Sequence, residues 1–428
     1  MPGRHIDLNG NVVAARRLRA AAVVPQLAAL CGVVVSVLIL SLAANPWPAV
    51  PLLLAGVAVM IVLARFIERG ARWALAVLTA MLAVTTAVAA VALLKTDGPP
   101  LERAQAAAGF VLMLTPCWVL IALGWKAIGR RDAVAAIHDV LRSAWSTVPR
   151  ERRSRRAQIW FAAAVLVYAA GVVPALLAAV AVGGHLWAIA VVYAPVAAVA
   201  GRLWVRGRRL SALDVQQIRM LDVRPPVLLL RSFGDDNLPL EKRYRLLSFL
   251  FSAREALTLE AFVVNQLWRF GPVIAIGNPT ERLSPLGAAR EYIPEDRWRS
   301  HVNEYLAEAK QIVSVLGGSP GLMWEYEQLE ARGRDEGLLI VFPPRAPDEL
   351  QRRWTMFQRA NARSRSTSLQ WEPFIGVPLL ALLAPGGPIL LYCKYRHELA
   401  YAAALRGVFD LIGAAGPRLR DPRVRKPS

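Results

Sequence analysis

The sequence predicts an α-helical membrane region of about six transmembrane helices, followed by an α/β domain with a mainly parallel sheet. Two observations support this fold class. The 428-residue chain is 55% hydrophobic with a mean hydropathy of +0.38, which is too apolar for an ordinary soluble protein. Long uncharged runs fill the first half, whereas the second half alternates short apolar runs with amphipathic ones.

Six runs in the first half carry no charge, and most approach the roughly 20 apolar residues that a helix needs to cross a bilayer. They are 21–42, 49–63, 73–94, 104–125, 157–182 and 186–200. The second run is the shortest, and it reaches further by including Arg65, whose side chain extends to the interface. The basic segment before the first run has no small-residue cleavage site, so we expect an anchor rather than a removed signal peptide.

Basic residues occur in alternate loops between these runs, which predicts the orientation. They precede the first run, follow the second, crowd the loop at 126–156 and follow the sixth run, while the other loops carry little charge. Both termini are therefore predicted to be cytoplasmic. This pattern accounts for much of the net charge of +20, and it favours the lipid bilayer over nucleic acid as the partner, because no nucleic-acid-binding motif accompanies the charge.

The central parts of the six runs lack ionisable residues, which transport sites usually need. Prolines at 25, 116, 174 and 195 are compatible with the kinked helices of transporters. The composition nevertheless favours an anchor or assembly platform, and the many alanines and glycines suit close helix packing. The loop segment 133–145 has helical periodicity, which fits either a helix lying on the inner leaflet or an extension of the fourth span.

The predicted domains are a membrane region at 1–210, a connector at 211–225, a cytoplasmic α/β domain at 226–416 and a basic tail at 417–428. Apolar runs in the third of these predict strands at 226–232, 272–276, 311–316 and 338–342. Amphipathic stretches at 257–270, 298–309 and 322–332 predict helices between and after them, and two more follow the fourth strand. This alternation is typical of a parallel sheet covered by helices on both faces.

The apolar segment 373–393 is long enough to span a membrane, but its prolines and glycines would break a helix in the middle. A span there would also place the basic tail outside, against the charge rule. We therefore predict two buried strands with a turn at Pro385–Pro388.

Ligands of such sheets bind at the carboxyl ends of the strands. Polar and glycine residues follow these predicted strand ends: Arg231, Ser232, Asp235 and Asp236, then Gly277 and Asn278, then Gly317 and Ser319. Glu325 and Glu327 open the next predicted helix at the same rim. Chemistry is one interpretation of these carboxylates, and favourable interaction with the helix dipole is the other. The aspartates and glycines equally suit turns, and Ser319 suits a helix cap.

This half of the chain resembles Toll/interleukin-1 receptor (TIR) domains and the related nucleoside deoxyribosyltransferase-like superfamily over roughly 226–345. The resemblance lies in "VLLLRSFGDD", in "FVVNQLWRFGPVIAIGNP" and above all in "WRSHVNEYLAEAKQIVSVLGGSPGLMWEYEQL". It implies a flavodoxin-like fold. TIR domains commonly place a glutamate four residues after the tryptophan, where this chain has Gln328, whereas the deoxyribosyltransferase frame of a glutamate four residues after glycine fits Gly321 and Glu325.

Active members of these families cleave an N-glycosidic bond, so the resemblance implies NAD or a nucleotide as candidate substrate and no required cofactor. It implies Glu325 as the catalytic carboxylate, with Glu327 as the second choice, and the other rim residues as ligand contacts. The cysteines at 31, 117 and 393 are too scattered for a disulfide framework or a metal site.

Three hypotheses follow. The first is a membrane-anchored N-glycosidase effector, the second a non-catalytic signalling or scaffold module, and the third a transporter or channel with a regulatory domain. In the first two we expect a homo-oligomer formed through the spans or through the TIR-like domain.

Overall fold

A computed structural model describes eleven segments of the chain, and these form two compact units. The described segments are 4–29, 49–95, 99–143, 154–181, 186–235, 238–241, 258–277, 287–294, 296–361, 376–384 and 387–414. One unit lies within 10–139 and 244–248, and the other within 1–9, 140–243 and 249–428. The first unit is helical, and the second contains the sheet.

The helical unit begins with α1 (Asn9–Ala21) and continues with three long helices. These are α2 (Ala49–Glu68), α3 (Arg72–Lys95) and α4 (Pro100–Ala127). Their buried core contains Leu63, Ile67, Leu75 and Ile121. Two tryptophans of α4 reach threonines of α3, with hydrogen bonds of 3.2 Å for Trp118 to Thr86 and 3.0 Å for Trp125 to Thr79.

A single 3₁₀ turn after α4 leads directly into α5 (Arg131–Ser143). The apolar side chains of α5, Val134, Ile137 and Val140, are buried within the protein. This arrangement agrees with an extension of the fourth predicted span. It does not agree with an apolar face laid on the inner leaflet.

Two further long helices, α6 (Arg155–Ala181) and α7 (Leu186–Leu210), pack along each other. Glycines allow this close approach, because a Cβ atom at Gly171 would collide with Val196 and one at Gly207 would lie 2.7 Å from the ring of Phe161.

Within the described residues, two segments are long and apolar enough to cross a membrane: Arg72–Val91 and Ala107–Leu141. They correspond to the third and fourth predicted spans, so the fold shows two candidates where the sequence predicts six. The first predicted span lies largely outside the described residues. Most residues of both segments are not buried, unlike those of a core helix in a soluble protein.

The sheet has eight strands in the order β1-β8-β7-β6-β5-β2-β3-β4 and is mainly parallel. Its strands are β1 (Arg4–Asp7), β2 (Val227–Leu230), β3 (Val273–Gly277), β4 (Ala289–Tyr292), β5 (Gln311–Val315), β6 (Leu339–Val341), β7 (Val377–Ala384) and β8 (Gly387–Cys393). Strands β2 to β6 run parallel, and β7 is antiparallel to both its neighbours. The four strands predicted between 226 and 342 are present within two residues of their expected ends.

In the described part of the chain, six helices follow α7, and all but the first, which lies in the predicted connector, occur where the amphipathic patterns predict them. They are α8 (Val215–Leu221), α9 (Leu259–Leu267), α10 (Trp298–Glu308), α11 (Pro320–Ala331), α12 (Pro347–Ala360) and α13 (Glu398–Ala414). Within the segment 373–393, Val377–Ala384 and Gly387–Cys393 form the antiparallel pair β7 and β8, as the prolines and glycines predict, and the predicted turn lies partly outside the described residues. Each strand is a run of buried apolar side chains, which explains why the segment resembles a membrane span in composition.

Two strands were not predicted. Strand β1 comes from the N-terminal segment and pairs in parallel with β8, which lies near the other end of the chain. Strand β4 forms the opposite edge beside β3. Both contain charged residues and are only four residues long, so neither has the continuous apolar pattern of a buried strand.

Candidate functional site

The candidate site lies at the carboxyl ends of the parallel strands, which we call the strand-end rim. Strand order reverses here between β2 and β5, because β2 is followed along the chain by β3 on one side and later by β5 on the other. Such a switch point leaves a crevice between the diverging connections, where ligands of α/β sheets bind. Arg231 follows β2 at this rim, and four residues separate the end of β5 from the start of α11.

Helix α11 starts where the sequence predicts a cap. Ser319 is the N-cap, and its hydroxyl accepts a hydrogen bond of 3.4 Å from the backbone N–H of Leu322. Pro320 occupies the first helical position, where its missing N–H costs nothing. Ser319 therefore has a local structural role in the described fold.

Glu325 is the sixth residue of α11 and lies in its second turn. This corrects the expectation that Glu325 and Glu327 open the helix. The helix dipole acts mainly within the first turn. Dipole stabilisation is therefore a weak explanation for a carboxyl group at position 325.

The Glu325 carboxyl group is in an unusual environment. Part of the residue is exposed, but its Oε2 atom is buried and accepts no hydrogen bond from the described residues. Burial raises the pKa of Glu325 to about 8, and the nearby Arg231 guanidinium opposes this rise without cancelling it. The raised pKa keeps this carboxyl protonated to a higher pH than an ordinary glutamate, so it is suited to donate a proton.

Arg231 belongs to a buried ionic cluster with Glu260 and Arg290. The Arg231 Nε lies 3.4 Å from Glu260 Oε2, and the Arg290 Nη2 lies 2.8 Å and 2.9 Å from the two Glu260 oxygens. The side chains of all three are at most 3% exposed. The Arg231 guanidinium of this cluster is also the cation that acts on Glu325.

Two glycines let backbone segments approach this cluster and the strand end. A Cβ atom at Gly287 would lie 2.6 Å from Glu260 Oε1, and Gly287 has a φ of +148°. A Cβ atom at Gly317 would lie 2.8 Å from the Cβ of Ser232. Gly317 therefore brings the turn after β5 against the turn after β2, and any side chain there would force the two apart.

Asp235 is held in a second ionic cluster at the same rim. Its carboxylate oxygens lie 2.9 Å from Arg345 Nη2 and 2.5 Å from Arg353 Nη1. Arg353 also donates to the backbone carbonyl of Leu316 at 3.0 Å and to Glu349 at 2.6 Å. Asp235 therefore ties the turn after β2 to the end of β5 and to α12.

The remaining predicted site residues separate into three groups. Ser232 and Gly317 lie together beside Arg231, and Gly277 ends β3 at the same rim. Glu327 is exposed on α11, away from the buried carboxyl of Glu325. Asp236 and Asn278 lie outside the described residues.

Sequence reasoning missed Glu260, Arg290, Arg345 and Arg353. Glu260 lies in the first turn of α9, where an acidic residue is expected for helix stability. Arg290 lies in β4, which has no clear strand pattern. No local signal marks these residues, because their partners are distant in the chain.

The described residues contain no group of three or more histidine, cysteine, aspartate or glutamate side chains that could hold a metal ion. Comparison with protein-family models, with curated proteins and with solved structures found no match to this chain. The assignment of a function therefore depends on the chemistry of the residues at the rim.

Proposed function

We propose that this chain is an integral membrane protein whose α/β domain cleaves an N-glycosidic bond in a nucleotide, with Glu325 as its catalytic residue. One observation carries the proposal: a carboxyl group with a pKa of about 8 lies at a switch point of the sheet, with its Oε2 buried. Strongly shifted carboxyl groups in such positions are characteristic of acid–base catalysts. The parallel strands follow the order β4-β3-β2-β5-β6, which is doubly wound, and its part β3-β2-β5-β6, without the edge strand β4, has the flavodoxin-like order that the resemblance to TIR-like domains implies.

The proposed reaction is hydrolysis at the anomeric carbon. As the bond from ribose to base breaks, its electron pair stays on the base nitrogen, and the protonated Glu325 donates its proton to the departing base. The resulting carboxylate faces the ribosyl cation and stabilises it. Water then adds its hydroxide to the anomeric carbon, and its proton returns to Glu325.

The raised pKa of Glu325 affects which substrate class is favoured. A purine base needs a proton to leave, whereas the pyridinium ring of NAD leaves as neutral nicotinamide without one. A carboxyl that is protonated at neutral pH thus favours a purine nucleotide over NAD as substrate. Both bonds are cleaved through similar ribosyl cations, so NAD remains the natural comparison.

The test uses the full chain in lipid nanodiscs, incubated separately with adenosine monophosphate and with NAD. Release of adenine or nicotinamide is followed by chromatography. Glu325→Gln is expected to reduce turnover about 10²- to 10⁴-fold, the usual contribution of a general acid. Glu304→Gln, which changes an exposed glutamate on the neighbouring helix α10, serves as the matched control.

Two results would contradict this assignment. Loss of activity in Glu327→Gln, with Glu325→Gln active, would transfer the role to the exposed carboxylate. Absence of turnover with any nucleotide, from a chain shown to be folded, would favour a non-catalytic module.

A non-catalytic signalling or scaffold module is the second candidate, and a specific observation supports it. Apart from Glu325, several polar groups of the rim are already paired within the protein: Arg231 with Glu260, Asp235 with two arginines, and the Ser319 hydroxyl with a backbone N–H. A scaffold needs no reactive groups at this rim. It would assemble into homo-oligomers without nucleotide turnover, which light scattering of the same nanodisc sample would detect.

Membrane embedding is supported by the surface of the long helices. The helices α2, α3, α4, α6 and α7 are 20 to 28 residues long. They expose many large apolar side chains, among them Val62, Val84, Leu112 and Leu166. A lipid environment explains such exposure.

The sheet supports the proposed orientation. Strands β1 and β2 belong to one sheet, so the chain that leaves at Asp7 and returns at Val227 must cross a bilayer an even number of times. Six crossings satisfy this condition and keep the N-terminal strand and the α/β domain on the same side, and the basic loops favour the cytoplasmic side. The protein should resist an alkaline carbonate wash, and reporters fused in successive loops should alternate in location six times.

A further inference from the structure

After the last long helix, α7, the exposed large apolar side chains of the described residues lie in few places. They are Met220, Leu221, Val223 and Tyr292. The first three are consecutive or nearly so, at the end of α8 and in the connector to β2, and they are 81%, 63% and 94% exposed. We call Met220, Leu221 and Val223 the connector triad.

Polar contacts on both sides hold the connector triad in place. Before it, Arg219 Nη2 lies 2.7 Å from Glu308 Oε2 of α10. After it, Arg224 Nη2 donates to Asp222 at 2.7 Å and to the carbonyl of Trp268 at 3.0 Å. The three side chains are therefore presented to solvent by an anchored segment.

The connector triad lies at the edge of the sheet opposite to Glu325, where the parallel strands begin. The Lys310 N–H donates to the Pro226 carbonyl at 2.9 Å, and the Val227 N–H donates to the Pro272 carbonyl at 2.8 Å. These bonds align the starts of β2, β3 and β5, and we call this edge the strand-start rim.

Two further features of the strand-start rim identify what covers the connector triad. Nine residues separate Met220 from the end of α7, whose last turn carries Arg208 and Arg209. Beside the triad, Arg219 pairs with Glu308 and Arg224 pairs with Asp222, and hydrogen bonds of their backbone atoms bring residues 269 and 310, an arginine and a lysine, to the same connector. An exposed apolar cluster with basic residues beside it, close to the cytoplasmic end of a proposed span, matches an anionic lipid surface.

We propose that the strand-start rim docks on the bilayer, with the connector triad inserted among anionic headgroups and the surrounding basic side chains on their phosphates. This inference rests on the membrane embedding proposed above. It places the strand-end rim, with Glu325, on the side facing away from the lipid. The candidate site then opens to the aqueous phase, so it would take a water-soluble substrate.

The test places a nitroxide spin label at Val223→Cys in a full chain whose native cysteines are replaced, reconstituted in nanodiscs containing anionic lipid. The control label is at Asp296→Cys, an exposed position just before α10 at the strand-end rim. Oxygen, which partitions into lipid, should relax the label at 223 more than a water-soluble nickel chelate does. At position 296 the nickel chelate should relax the label more than oxygen does.

A second experiment varies the charge of the lipid. In purely zwitterionic nanodiscs the preference of the 223 label for oxygen should fall, and Lys310→Gln should weaken docking by about five-fold, the usual effect of one surface charge. An equal preference of the 223 label for oxygen in both lipids would contradict the proposal that this rim recognises anionic headgroups.

Two other outcomes would overturn the docking itself. A label at 223 that is as accessible to the chelate as the label at 296 would show that the connector triad stays in water. Dipolar coupling between 223 labels of two chains would show that a second copy covers it. Release of the protein by alkaline carbonate would instead refute the embedding, so the two failures are distinguishable.

Discussion

Two glutamates with buried carboxyl oxygens at the strand-end rim differ in the cations that contact them. Glu260 on α9 is bracketed by Arg231 and Arg290, with contacts of 2.8 to 3.4 Å. Glu325 on α11 has a buried Oε2 that accepts no hydrogen bond from the described residues, and Arg231 only partly offsets its burial. Two guanidinium groups contact the first carboxyl group, whereas burial raises the pKa of the second to about 8. The comparison teaches that burial alone does not identify a reactive carboxyl, since the partners decide its state.

The largest expected effect is on the bracketed glutamate. Glu260→Gln would leave Arg231 and Arg290 buried without their carboxylate, and removing one member of a buried ion cluster costs about 3 to 5 kcal/mol. Pulse proteolysis of the α/β domain in the full chain measures the change in the free energy of unfolding. The control is Glu308→Gln, which removes an exposed pair with Arg219 and should cost less than about 1 kcal/mol. A similar small cost for both variants would contradict the described cluster.

The second prediction concerns the free energy of unfolding, which falls as pH rises because the Glu325 carboxyl ionises in a buried position. Its folded pKa of about 8 exceeds the ordinary value of 4.5, so the folded state binds more protons than the unfolded state between these values. The contribution of Glu325 to the free energy of unfolding is therefore fully present below about pH 4.5. It falls as pH rises and levels off above about pH 8. Glu325→Gln removes this loss and should stabilise the domain at pH 8.5 by roughly 1 to 4 kcal/mol, since each pKa unit is worth about 1.4 kcal/mol.

The same proteolysis measured from pH 5 to pH 9 checks this expectation. The exposed Glu304→Gln should follow the pH profile of the unsubstituted chain. A Glu325→Gln variant that is less stable than the parent at pH 8.5 would mean that the carboxylate is paired in the folded state. The contrast with Glu260 would then disappear.

The sequence predicts the buried strands of this fold well and its edges poorly. Strands such as β2 and β5 are covered on both faces, so burial requires a continuous apolar run that can be recognised locally. Strand β1 has the sequence RHID and a partner almost four hundred residues away, so its pairing is decided by tertiary contacts. Its short polar sequence carries no local signal.

The residues of the candidate site also differ in how well the sequence predicts them. The place of Glu325 on the helix after β5 can be predicted, because a strand, a glycine-rich turn and a cap precede it in a recognisable order. Its contrast with Glu260 cannot, because Arg290 comes from an unpredicted edge strand and reaches Glu260 across 30 positions of sequence. The environment of each carboxyl group depends on partners that are distant in the chain. Local sequence patterns do not identify these partners.

The smallest expected effect compares the caps of the two helices that carry these glutamates. Thr258 caps α9 with a bond of 3.1 Å to the Ala261 N–H, and Ser319 caps α11 with a longer bond of 3.4 Å. Replacing a cap by alanine costs about 0.5 to 2 kcal/mol, and the longer bond should place Ser319→Ala near the lower end and below Thr258→Ala. Unfolding by pulse proteolysis ranks the two variants, and nucleotide turnover is measured beside it. A loss of turnover in Ser319→Ala that far exceeds its loss of stability would assign the hydroxyl to the ligand, because a capping role alone affects the helix and not the chemical step.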